Sequence, residues 1–182
     1  ILAVIINSDS AFSKETIDTS GDAKEVLLKS GLWPCIKQRP LDIVADPKNE
    51  PKAIFISGFD SSPLAPDYNY LLKDKTKEIQ AGIDTIAKLT KGKVQVTIKN
   101  SEKSVSVFSG MKGIELNTIN DKHPAGNVGT QIHHISPVNK GETVWTINAN
   151  DVARIGHMML TGELDMAKLI AVSGSEIKTP AY

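Results

Sequence analysis

A βαβ signature in the first half of the chain constrains the fold more than any other feature. Ala53 to Ile56 is a short, uninterrupted apolar run, the pattern of a strand covered on both faces, as parallel strands are. Gly58 to Asp67 follows as a loop punctuated by Pro63 and Pro66. Asp67 is suited to cap a long helix in which Leu72, Thr76, Ile79, Ile83, Ile86 and Thr90 recur at alternating spacings of four and three. Gly92 is placed to end it, with Lys88 and Lys91 near the negative end of the helix dipole. Val94 to Ile98 alternates and is β-branched, which predicts the returning strand. Such a crossover is right-handed and joins parallel neighbours or near-neighbours.

The rest of the chain extends this unit. Ile1 to Ile6 reads as the last strand of something preceding, and Asn7 to Ser20 as a connection. A helix is predicted from Asp22, with Ala23, Val26 and Leu27 on one face and Gly31 stopping it. Residues 35–51 carry Pro40, Pro47 and Pro51 with no clear period, which predicts an irregular arm over the sheet edge. Residues 100–113 hold either a short helix or a covering loop. Ile114 to Ile119 is a third strand, and Asn127 is suited to cap a helix with Val128, Ile132 and Ile135 inward. Glu142 to Asn148 gives a fourth strand. Asn150 and Asp151 start a helix with Val152, Ile155 and Met159 inward, ending near Gly162, and Lys168 to Ser173 is a final strand. This alternation predicts an α/β fold, a Rossmann-like three-layer domain with a mostly parallel sheet.

Composition removes several function classes. With 182 residues, 40% of them hydrophobic, the chain suffices for one domain that buries roughly 70% of its unfolded surface. Its single cysteine, Cys35, rules out an internal disulfide and fits a reducing compartment. Lys and Arg total 21 against 21 Asp and Glu, so no net field attracts nucleic acid or an anionic membrane. No apolar run approaches the roughly 18 residues of a spanning helix. The chain opens without Met inside a strand-like segment, which leads us to expect a larger parent.

Familiar catalytic devices are missing. The chain has no G-x-G-x-x-G after a strand, no P-loop, no G-x-S-x-G, no H-E-x-x-H and no C-x-x-C. Gly126, Asn127 and Gly129 at a helix start form the best anion-binding candidate, against the plainer reading of a capped turn. His133 and His134 are adjacent, so on a helix they diverge by about 100° and do not chelate one metal. Asp60 and Asp67 serve as turn-former and cap, or as carboxylates for proton chemistry or a basic partner, because loops at strand ends carry function. Trp33 and Phe59 adjoin irregular segments and are either core or a seat for a flat ring.

Several strings together then become specific. Ser30 to Trp33, Arg39-Pro40, Pro51 to Ser57, Asp60 to Ala65, His123 to Gly126, Val128 to Thr130, Pro137-Val138 and Leu160 to Leu164 resemble, in this order, the middle part of the family of A subunits of bacterial sodium-translocating NADH:quinone reductases. The resemblance spans nearly the whole chain. It implies a peripheral subunit on the cytoplasmic face of the inner membrane, touching the membrane only through a complex that passes electrons from NADH to quinone and exports sodium. It also implies other subunits of that complex as partners, which hold the flavins and the iron–sulfur centre, and a role in quinone interaction and assembly. The middle domain of that family is similar to the flavin- and NADH-binding subunit of complex I and to the C subunit of the Rnf complex. Where those relatives carry a Gly-rich flavin loop, this chain has Ser30 to Pro34. Their acidic, Pro-containing loop corresponds to Asp60 through Asp67, retained in part.

The reading that follows divides the chain into three. Residues 1–20 close a preceding biotinyl/lipoyl-like domain and linker, residues 21–166 form the Rossmann-like domain, and residues 167–182 lead into a β-grasp-like domain. The fragment is expected to bind no cofactor of its own and to have no catalytic residue. Trp33, Arg39, Pro40, Phe59, Asp60 and Asp67 are the candidates for quinone or partner contact. The alternatives are a flavin- or NADH-binding domain of a redox enzyme and a purely structural assembly adaptor.

Overall fold

In the computed structural model, the residues described are 16–167, 172 and 174–176. The expected strands Ile1 to Ile6 and Lys168 to Ser173 lie outside them, Val172 excepted. The fold is the α/β arrangement anticipated from the alternation of elements, a six-stranded, mostly parallel sheet flanked by helices.

Strand β1 is Lys37–Arg39, β2 Ile43–Val44, β3 Ala53–Ser57, β4 Lys93–Lys99, β5 Ile114–Ile119 and β6 Val144–Asn148. Helix α1 is Ala23–Lys29, α2 Tyr68–Leu72, α3 Thr76–Ile86, α4 Val128–Ile135 and α5 Ala149–Thr161. The strands lie in the order β2-β1-β6-β3-β4-β5, with β6, β3, β4 and β5 parallel and the β1–β2 hairpin antiparallel at the edge.

Alternation along the central strands sorts the core into two layers. Ile54, Ile56, Val96, Ile98, Trp145 and Ile147 face α3, α5 and α1 in the main core. Ala53, Phe55 and Val144 face Ile132 of α4 on the other side. Helices α3 and α5 cross unusually closely. A methyl group added at Gly82 would sit 2.0 Å from the Val152 carbonyl oxygen, and one at Gly156 would sit 1.7 Å from that of Glu78. Glycine in a helix interior costs about 1 kcal/mol of propensity, which the backbone contact here offsets.

Several caps fall where the sequence placed them. Asp67 accepts from Asn69 N, Asn127 accepts from Gly129 N, and Gly31 and Gly162 take the left-handed conformation after α1 and α5. Helix α5 is capped by Asn148, ahead of Asn150. Two expectations are corrected. The helix from Asp67 is broken at residues 73–75 and its last turn, Ala87–Leu89, is a 3-10 turn. Thr76, counted among the inward positions, is exposed, so no side chain anchors that turn to the core. Residues 35–51 are not irregular throughout: they contain the β1–β2 hairpin, held by backbone pairing with β6. Residues 100–113 form turns with one 3-10 turn, Asn100–Glu102, and bury Phe108.

Candidate functional site

Strand β3 continues into β4 and β5 on one side, whereas β6 returns to its other side. The chain therefore changes direction between β3 and β6, and a crevice opens beyond their carboxyl ends, where ligands bind in open α/β sheets. A cleft of about 710 Å³ occupies this position.

Two loops form one wall. Ser57 Oγ, at the end of β3, lies 2.7 Å from the Phe59 carbonyl and 3.1 Å from that of Gly126, and it accepts from Gln131 Nε2 at 2.8 Å. Gln131 is 0% exposed and also donates to the Ala125 carbonyl at 2.9 Å. Ser61 Oγ accepts from Gly126 N at 2.9 Å and lies 3.2 Å from His123 Nδ1. A Cβ on Gly126 would sit 2.3 Å from Ser61 N, so only glycine permits this closeness. The loops after β3 and before α4 are thus stitched into one unit.

The opposite wall comes from β1 and α5. Lys37 and Arg39 line it, with Arg39 Nε 3.2 Å from Asp42 Oδ1. Deeper in, Arg154 pairs with Asp151 and donates from Nε to the Asp165 carbonyl at 3.0 Å. Cys35 lies beside this pair; burial and the Asp151 carboxylate push its thiol up, against the opposing pull of Arg154. Tyr68 accepts from Asn148 Nδ2 at 3.3 Å, and burial raises its hydroxyl. A thiol and a phenol held neutral at pH 7 are hydrogen-bond donors here, not anions.

Of the residues singled out from sequence, Arg39, Phe59, Asp60, Gly126 and Asn127 meet in this cleft. Phe59 is only 3% exposed, with Lys99 Nζ 5.8 Å from its ring centre. Asp60 accepts from Ser62 N at 2.8 Å, which fixes the turn. Trp33 takes the core reading: its Nε1 donates to the Ala45 carbonyl at 2.7 Å and its ring meets Trp145 edge-on at 5.5 Å. Pro40, Asp67 and Gly129 do not line the cleft. At the start of α4 the amides of Gly126 and Gly129 already serve Ser61 and Asn127.

Sequence reasoning missed Arg154, Asp151, Tyr68 and Asn148. Their signal was present: Asp151 and Arg154 are an i, i+3 pair of opposite charge among the inward positions of α5. A second cavity of about 490 Å³ lies between α3 and α5, bounded by Lys75, Glu78 and His157, and shares Asn148, Asp151 and Arg154 with the cleft. Among the described residues no cluster of three His, Cys, Asp or Glu could hold a metal, and no helix is long and apolar enough to cross a membrane.

Residues 19–164 match the family described as the NqrA second alpha/beta domain. The chain belongs to this family. Among curated proteins it is 32% identical over 171 residues to the A subunit of the Na(+)-translocating NADH-quinone reductase of Haemophilus influenzae (strain PittGG), covering 93% of this chain and 38% of the relative. It is 35% identical over 159 residues to the A subunit of Neisseria meningitidis serogroup B, covering 87% and 35%. For that of Marinomonas sp. (strain MWYL1) the identity is 36% over 154 residues, covering 85% and 34%. The chain thus spans between about a third and two fifths of the length of these members of the NqrA family.

Proposed function

We propose that this chain is the second domain of the A subunit in a sodium-translocating NADH:quinone reductase, serving as a docking domain with its switch-point cleft next to the quinone. On this reading it is peripheral, reaches the membrane through partner subunits on the cytoplasmic face, and leaves the flavins and iron–sulfur centre to them. The threefold division at residues 20 and 166 is part of the same proposal.

One observation carries the choice between ligands. The amides of Gly126, Asn127 and Gly129 at the start of α4 already donate within the protein, and Gly126 is pressed against Ser61. A nucleotide pyrophosphate finds little room there. The cleft does offer the Tyr68 ring, with the buried Phe59 behind its wall and the polar groups Arg39, Asp60 and Arg154, the mix that suits a flat carbonyl-bearing ring.

Photo-crosslinking with an azidoquinone on the assembled complex tests this. Labelling of the segments 57–68 or 146–154 is expected, and labelling confined to other subunits would sink the quinone part. Titration with flavin mononucleotide separates the rival nucleotide-binding reading, because tight binding would favour it. Arg39→Ala and Phe59→Ala, compared at equal assembly, should lower quinone turnover; unchanged turnover would leave a purely structural adaptor.

A further inference from the structure

The direction of one hydrogen bond in the cleft is forced, and it leaves a proton without an acceptor. Asn148 caps α5: its Oδ1 accepts from Asn150 N at 2.9 Å, a bond in which only the amide oxygen can serve. The cap fixes the side-chain amide, since a flipped amide would set one N–H group against another. Its Nδ2 therefore faces Tyr68, and an amide nitrogen only donates. The Tyr68 oxygen accepts at 3.3 Å, so its own proton points elsewhere. Tyr68 Oη makes no other hydrogen bond among the described residues.

The hydroxyl is the end of Tyr68 that meets the cleft. The half-buried side chain packs against the main core, while Oη is bonded to the exposed Asn148, and both residues line the cleft with Asp60 and Asp151. Burial raises the hydroxyl most, the Asn148 bond opposes this, and the nearby carboxylates of Asp60 and Asp151 raise it further, so it stays protonated. Neither carboxylate accepts from it: Asp60 serves Ser62 N at 2.8 Å and Asp151 serves Arg154. The start of α2 is also held in place. Asn69 Nδ2 donates to Glu102 at 2.9 Å, and Asn69 Oδ1 accepts from Val107 N at 3.1 Å. A fixed, half-buried donor opening on a cleft selects for a ligand that brings an acceptor to it.

We propose that Tyr68 recognises the ligand of this cleft by donating its hydroxyl proton to a carbonyl oxygen of the bound ring, with Asn148 as the positioning residue that keeps the donor turned outward. The assignment rests on the quinone reading above and names the group that reads the carbonyl.

The test uses the assembled complex, with a short-chain ubiquinone as substrate and the azidoquinone as label. Tyr68→Phe keeps the ring and removes the proton. Asn148→Asp keeps the α5 cap, because a carboxylate oxygen still accepts from Asn150 N, but it turns an acceptor toward Tyr68 and draws the proton away from the cleft. Both should raise KM for the quinone by roughly three- to tenfold, the effect of one neutral hydrogen bond, with kcat at saturating quinone little changed. Lost packing would instead lower kcat and the yield of complex, and would not be shared by two changes of opposite chemistry. Absence of label from residues 57–68 and 146–154 of the unsubstituted complex would remove the quinone reading and this assignment with it. Label there with an unchanged KM in both variants would overturn the role of Tyr68 and leave the quinone reading standing. A rise in Tyr68→Phe alone would overturn the positioning role of Asn148.

Discussion

Among the places where glycine brings backbone against backbone, the α3–α5 crossing and the cleft differ in what surrounds the contact. At the α3–α5 crossing, Gly82 and Gly156 touch carbonyls amid Ile79, Ile83, Val152 and Ile155, with no polar side chain taking part. At the cleft, Gly126 touches Ser61 inside a web of Ser57, Gln131 and His123. The first contact is packing alone, so its strength is set by shape. The second is set by hydrogen bonds, so individual bonds are removable while the loops stay near each other. The same steric device thus locks a core in one place and shapes the wall of a cleft in the other.

Substitution separates the two, from the largest effect down. Gly156→Ala puts a methyl group onto the Glu78 carbonyl and is expected to cost about 3 kcal/mol or more, read as a lower urea midpoint. A loss below 1 kcal/mol would mean that the helices move apart freely and that the crossing is not tight. Gln131→Ala strips the Ser57 hydroxyl and Ala125 carbonyl of their buried donor and should cost about 2 kcal/mol, with faster hydrogen exchange confined to residues 57–62 and 123–127. Global acceleration would instead put Gln131 in the folding core. Ser61→Ala and Asn127→Ala should each cost about 1 kcal/mol, the former by orphaning the Gly126 amide and the latter by removing the cap of α4.

The smallest expected effect is electrostatic and lies outside both contacts. Lys52, and then the amide of Asn139, hold the Glu142 carboxyl below its ordinary value of 4.5. A depressed folded-state value means that the stabilisation is complete above pH 4.5 and is lost as the pH falls through the folded value. Glu142→Gln should therefore flatten the acid side of the stability curve slightly below pH 4.5 and change nothing at pH 7 beyond the small contribution of a surface pair. An equal loss at both pH values would show that the pair acts through packing.

The sequence disclosed most of the frame because the frame is made of periodicity and caps. Ile114–Ile119 was delimited to the residue by its β-branched ends, and Asp67, Asn127, Gly31 and Gly162 act through their own side chains or the lack of one. The β1–β2 hairpin was illegible because Lys37, Gln38 and Arg39 have no apolar face; backbone pairing with β6 makes them a strand. The break after Leu72 was hidden because Thr76 fitted the helical spacing without the hydrophobicity to hold it. Half of the cleft was found from loops at strand ends. The other half, Arg154 with Asp151, carried only an i, i+3 charge signal, and the packing of α5 against its neighbours is what sets that pair in the cleft.

The position of β6 has a consequence in time. Residues 144–148 lie between β1, residues 37–39, and β3, residues 53–57, so the strand that joins the edge hairpin to the sheet is the last of the six strands in chain order. Pairings this distant along the chain close slowly. Until then β3, β4 and β5 can assemble as a sub-sheet whose open flank is the β3 edge, while the hairpin waits without a template. The cleft, bounded by segments from both sides of that seam, comes into being only when synthesis has passed residue 154 and the seam is sealed. A nascent chain stalled before β6 would leave the backbone amides and carbonyls of residues 54–57 unpaired along the β3 edge, the kind of edge that invites association with another strand.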